Sequence, residues 1–211
     1  MIGGDRMLSS TRQSEVSLTI RVSLFGNLLA LLGLLGCTGG DPEDAVVERA
    51  RSLHERVLTI DTHIDIPLTY ATAAVDPGVL NDFQVDLTKM RAGGLNAGFF
   101  IVYVAQSERT PENEDLAKSQ ARTKFDAIHR MAEEMYPEEI EIAYSADDVE
   151  RIDASGKLVA AIGIENGFVI GGDLSLLGSY YDLGARYMTL AHSGHNDIAD
   201  SATTRDRVGD R

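Results

Sequence analysis

IDTHIDIP, residues 60–67, ends a short apolar run, Val57, Leu58 and Ile60, with carboxylate and imidazole side chains in alternation and then a proline. The run reads as a strand, and Pro67 stops it. Side chains two apart on a strand share a face, so His63 and Asp65 are placed to reach one metal ion together, with Asp61 deeper on that face. A neutral imidazole beside a carboxylate suits Zn²⁺ or a similar divalent ion.

Further along, LNAGFFIVYVA is apolar from Ala97 to Ala105 apart from Gly98, the pattern of a parallel strand buried on both faces. Thr110 and Pro111 cap a helix whose buried stripe is Ala121, Phe125, Ile128, Ala132 and Met135, stopped by Pro137. KLVAAIGIEN is a third strand, a short helix runs through Leu176, Tyr180 and Leu183 to Gly184, and RYMTLAH is a fourth strand. Upstream, Asp41 and Pro42 open a helix with Val46, Val47, Ala50, Leu53 and Val57 at helical spacing. Strands alternating with helices predict a parallel α/β architecture. Three of the four strands end in a residue of metal or acid–base type: His63 and Asp65, Glu165, and His192. Strand C-termini are where (β/α) barrels build their active sites, and Glu165 has two oxygens with which to bridge two ions. His54 and His129 fall on helices and read as packing or surface residues. His195 stays undecided, and the alternative for Asp61 is to orient its neighbours through hydrogen bonds.

The 211 residues carry 33 acidic against 19 basic side chains, a net charge of −14, which disfavours nucleic acid as a partner. Arg12 and Arg21 precede an apolar run from Val22 to Gly36 that is short for a membrane span and reads as a secretory signal. The run ends in LLGC, and Cys37 is the chain's single cysteine. LLGC resembles the bacterial lipobox, which implies a signal peptide over 1–36, a lipid-modified Cys37, a tether over 37–40 and a folded domain over 41–211. The plainer alternative is a free cysteine after an ordinary signal peptide or anchor helix.

IDTHIDIP also resembles the Asp-x-His-x-Asp-x-Pro signature of the membrane (renal-type) dipeptidases, TIM-type (β/α)8 barrel metallopeptidases with two zinc ions. DLTKMRAGGLNAGFFIVYV, GIENG and YYDLGARYMTLAHSGHND are similar to further segments of that family, in the same order. The resemblance implies that His63 and Asp65 bind one zinc, that Glu165 bridges both, and that His192 contacts the dipeptide substrate and its tetrahedral intermediate. It implies hydrolysis by attack of a metal-bridging hydroxide on the dipeptide carbonyl. Asp61 and Asn196 match family positions without an assigned role. The family pattern continues through four more strand–helix units, with two further histidine ligands, an arginine and an acid–base aspartate, that this sequence does not contain. The expectation is therefore the N-terminal half of the barrel, about four βα units, as a truncated and inactive fragment at a bacterial cell envelope, periplasmic or outer-surface. The alternative is a non-catalytic envelope lipoprotein whose half barrel pairs with another chain, a second copy included. Other metal-dependent amidohydrolase barrels are disfavoured, because they usually place H-x-H on the first strand.

Overall fold

A computed structural model describes residues 42–203, so the expected signal peptide, Cys37, the expected tether and Asp41 lie outside the described residues. The chain divides into two compact units, Met1–Arg51 and Ser52–Arg211. Helix α1, Pro42–His54, begins in the first and ends in the second, with acidic Glu43 and Asp44 in its first turn, where the helix dipole favours them.

The second unit is built on a parallel sheet. Strand β1 is Ile60–Asp65, β2 is Ala97–Tyr103, β3 is Ile140–Ile142, β4 is Leu158–Glu165 and β5 is Ala185–Met188. β1 pairs with β2 and β2 with β4, while the other edge of β4 is shared by β3 at its start and β5 further along. Helices α2 (Leu87–Gly93), α3 (Pro111–His129), α4 (Ala146–Ala154) and α5 (Leu176–Asp182) fill the connections. This is the βα alternation expected, with β2, β4 and β5 in the places of the second, third and fourth strands. β3 and α4 are additions that the sequence reading left unassigned. A cap announces α4: the Ser145 side chain accepts from the Asp148 N–H, and Asp148 reaches back to the Tyr144 N–H.

One hydrogen bond shows that the sheet curls. The Tyr187 hydroxyl on β5 donates to the Thr62 carbonyl on β1 at 2.9 Å, across the two intervening strands. Three interstrand spacings in a flat sheet are about 14 Å, more than a tyrosine side chain spans. Tyr187 lies over Gly163 of β4, where an added Cβ would sit 2.3 Å from its ring, and packs its ring 5.1 Å from that of Phe99 on β2. On the outer face Ile64, Phe100, Val102, Ile162 and Ile164 share one apolar core with Ala121, Phe125 and Ile128, the predicted α3 stripe. The helix continues past His129 as a wider π-helical turn, Arg130–Met135, before Pro137.

β1 and β2 are aligned at their starts by Thr59 and Asn96, which exchange side-chain and backbone hydrogen bonds. The long β1–α2 connection is pinned by Asp86, which is fully buried. Its carboxylate accepts from the Lys89 and Asn81 backbone N–H groups and pairs with the Lys89 ammonium at 3.1 Å. Burial alone would raise the Asp86 pKa, but those donors outweigh it and hold the carboxyl below its ordinary value. The contribution of Asp86 to stability is therefore present above the ordinary carboxylate pKa and fades as pH falls through its lowered folded value. Asp86→Ala is expected to lower the unfolding free energy by about 1–2 kcal/mol near neutrality, through loss of the cap. The deficit should narrow in acid, and urea denaturation at both pH values measures it; an equal deficit at both would sink the assignment.

Candidate metal centre at the strand ends

β2 and β4 run in unbroken register from Ala97 opposite Val159 to Tyr103 opposite Glu165, so Tyr103 and Glu165 are neighbours at the same end of the sheet. On β1 the register shifts between Asp61 and Ile64: Asp61 aligns with Gly98 and Asp65 with Ile101. Four residues of β1 thus span three of β2, a bulge of the kind found beside functional sites. The even alternation expected from Asp61 to Asp65 is broken there by the bulge, with Asp61 opposite Gly98. Its Oδ1 accepts the His63 backbone N–H at 2.9 Å, fixing the bulge that aims His63.

His63, Asp65 and Glu165 come together. His63 Nε2 is 3.3 Å from Glu165 Oε2 and 3.7 Å from Asp65 Oδ1, and among the described residues these three form the one histidine–carboxylate group able to hold a metal ion, with ligand atoms all within 4.8 Å. Bonds of about 2.0–2.2 Å in a tetrahedral shell put ligand atoms about 3.3–3.6 Å apart, so the group fits one divalent ion with little rearrangement. Glu165 Oε1 faces His192 Nε2 at 3.3 Å. His192 itself lies beyond β5, which ends at Met188; the expected strand through His192 gives way after Thr189, whose N–H still bonds the Ile164 carbonyl.

The field here is negative. Burial first, then Glu165 and Asp65, raise the Tyr103 phenol pKa, and the same groups together with Asp61 raise that of Tyr187. The nearby cation is Lys124, a lysine on the buried stripe of α3, with Nζ 5.9 Å from the Tyr103 ring centroid. Burial lowers its pKa, against the pull of Asp65 and Glu165. Sequence reading missed Tyr103, Lys124 and Tyr187. A lysine at a stripe position was the available signal for one of them. An apolar cleft of about 240 Å³, lined by Ile164, Leu177, Tyr180, Tyr181, Arg186, Tyr187 and Met188 among others, includes Tyr187 but none of the three candidate ligands.

The loop that carries His192 is held by buried amides. Asn196, fully buried, donates to Asn166 Oδ1 and to the Leu190 carbonyl, and accepts from the N–H groups of Ile198 and Ala199. Asn166, at φ +79°, bonds the Thr189 hydroxyl through its N–H and the Phe168 N–H through its side chain. Ser201 donates to the His192 carbonyl, and the same residue's N–H donates to His195 Nδ1, with Asp200 Oδ1 3.2 Å from that nitrogen. His129 bonds Glu133 and the Leu183 carbonyl, away from the centre, as a packing residue would.

A parallel α/β sheet with a carboxylate–imidazole cluster at its strand C-termini defines a barrel-type metallohydrolase scaffold. The chain belongs to the membrane dipeptidase family, peptidase family M19, which it matches over residues 47–210. It is 34% identical over 167 residues to Dipeptidase ataJ of Aspergillus terreus, covering 74% of this chain and 40% of that protein. Dipeptidase 3 of Mus musculus is 32% identical over 162 residues, 74% of this chain and 31% of that protein. The crystal structure of the probable dipeptidase PvdM from Pseudomonas aeruginosa superposes with a TM-score of 0.68 at 30% identity, over 76% of this chain and 41% of that one. At 20% identity and a TM-score of 0.52, a Rhodobacter sphaeroides metallopeptidase bound to a phosphinate mimic of L-Ala-D-Ala shares the fold, over 65% of this chain and 46% of that one. The chain thus spans less than half the length of these relatives.

Asn196→Ala leaves two backbone donors and one carbonyl of this loop without their partner and is expected to cost about 2–4 kcal/mol. Limited proteolysis should then cut first within residues 190–203. Unchanged stability with an uncut loop would show that the amide pair is dispensable.

Proposed function

We propose that this chain contributes the first-metal half of a zinc dipeptidase centre. The observation that carries the reading is the meeting of His63 Nε2, Asp65 Oδ1 and Glu165 Oε2 at ligand spacing, with the second Glu165 oxygen turned to His192. His63 and Asp65 would hold one zinc, and Glu165 would serve that ion and a second. The described residues offer one such group, so the other ligands of the second ion come from outside them. Zinc supplies Lewis acidity and an ionised water near neutral pH. Asp61 keeps His63 in place, the phenols of Tyr103 and Tyr187 lie beside Glu165 and Asp65, and His192 donates from Nε2 to the dipeptide carbonyl oxygen as charge develops there. The N-terminal reading completes the proposal: signal peptide 1–36, lipid on Cys37, tether 37–40 and barrel from 41, anchored at a bacterial envelope. Among the described residues no helix is long and apolar enough to cross a membrane.

Two measurements test this. In the full chain, zinc titration should show one ion bound. Asp61→Ala should weaken binding about 10–100-fold, as loss of an orienting partner does, and His63→Ala, Asp65→Asn or Glu165→Gln should weaken it more. In a hybrid that joins this chain to the second half of a relative's barrel, hydrolysis of a simple dipeptide should depend on zinc and on Glu165. His192→Ala should keep the zinc and lose on the order of 10²–10³ in kcat. Zinc loss in the His192 variant would make it a ligand, and a zinc-loaded hybrid with no dipeptide turnover would refute the hydrolytic reading.

A further inference from the structure

We propose that Tyr103 is the positioning residue of His192: its hydroxyl donates to Nδ1, so that the one ring proton of the neutral imidazole stays on Nε2, the nitrogen that faces the metal centre. The inference deepens the proposed function and rests on its reading of His192 as the donor to the substrate oxygen.

The register of β2 on β4 puts Tyr103 beside Glu165, and His192 closes the triangle from the loop after β5. The Tyr103 hydroxyl is 3.5 Å from His192 Nδ1, and the two rings meet edge to face with centroids 5.2 Å apart at 63°. The distance is long, as hydrogen bonds of unliganded catalytic sites commonly are. The His192 side chain is 44% exposed, so packing alone does not fix its ring, while its main-chain carbonyl accepts from the Ser201 hydroxyl.

A neutral imidazole has one donor and one acceptor nitrogen. If the proton sat on Nδ1, the lone pair of Nε2 would point at the Glu165 carboxylate 3.3 Å away, which is repulsive. With the proton on Nε2, the ring donates toward Glu165 and accepts from the phenol, and both contacts are favourable. The phenol keeps its proton because burial and the charges of Glu165 and Asp65 oppose its ionisation. Lys124 near the Tyr103 ring adds a cation–π contact that steadies it.

The test is nitrogen NMR on the full chain with ¹⁵N-labelled histidine at mildly alkaline pH, the His192 signals being assigned by their loss in His192→Gln. The expected result is an unprotonated Nδ1 shifted upfield of a free imine nitrogen, as hydrogen-bond acceptors are, with the proton on Nε2. Tyr103→Phe should move Nδ1 downfield to the free position. A protonated Nδ1 in the unmutated chain, or an Nδ1 shift unmoved by Tyr103→Phe, overturns the proposal. If Tyr103→Phe does not fold, the position of Nδ1 in the unmutated chain decides alone. In the zinc-loaded hybrid, Tyr103→Phe should lower kcat about tenfold, one hydrogen bond's worth, with KM and zinc content unchanged. A change in KM or zinc content at unchanged kcat would overturn it as well. Absent turnover in the unmutated hybrid, with the Nδ1 signature intact, supports the Tyr103–His192 contact and counts against the hydrolytic reading instead.

Discussion

The unbroken parallel pairing of β2 with β4 is the constraint on which the rest of the unit depends. Seven consecutive residue pairs, from Ala97 and Val159 to Tyr103 and Glu165, leave neither strand free to slip, because a one-residue shift would send every buried side chain to the wrong face. Phe100, Val102, Ile162 and Ile164 would leave the core they share with α3, and Glu165 would leave the centre. The apolar core and the placement of the polar site are thus a single requirement, met by one register.

β1 answers to a different demand. Its sequence alternates as a strand should, yet it carries one residue more than β2 between Asp61 and Ile64. Thr62 lies within that stretch, and Tyr187 donates to its carbonyl from β5. A single bulge therefore serves both the aim of His63 and the curl of the sheet, and the Asp61 carboxylate stabilises it from below through the His63 N–H.

The legible part of this structure was the part written in periodicity. Continuous apolar runs gave β2 and β4, the stripe at helical spacing gave α3, and chemistry-bearing residues at strand ends gave His63, Asp65, Glu165 and His192, three of which meet at ligand distance. β3, three residues long, is too short for a period to emerge, and α4 was announced only by its Ser145 cap. That Asp61 orients a neighbour through a hydrogen bond was legible, but the bulge it fixes was not, since a bulge depends on how two strands pair and neither strand shows it alone. Tyr103 was hidden for another reason. In an apolar run a tyrosine reads as core, and only the partner strand reveals that its hydroxyl emerges beside Glu165.

Burial and the charges of Glu165, Asp65 and Asp61 raise the pKa of the Tyr187 phenol beside them, so the strand ends gather negative charge in one place. Lys124 is the adjacent cation, but it forms no ion pair within 4 Å of either Asp65 or Glu165. Structures that need only stability do not concentrate acid in this way, since apolar residues of the same volume would serve the barrel interior better. A divalent cation, held as proposed above, would turn that local field from negative to balanced. The loop bearing His192 shows the complementary choice. It is tied down by the Asn166–Asn196 amide pair more than by apolar burial, which keeps the main chain fixed while leaving the imidazole at the surface, free to meet whatever the centre binds.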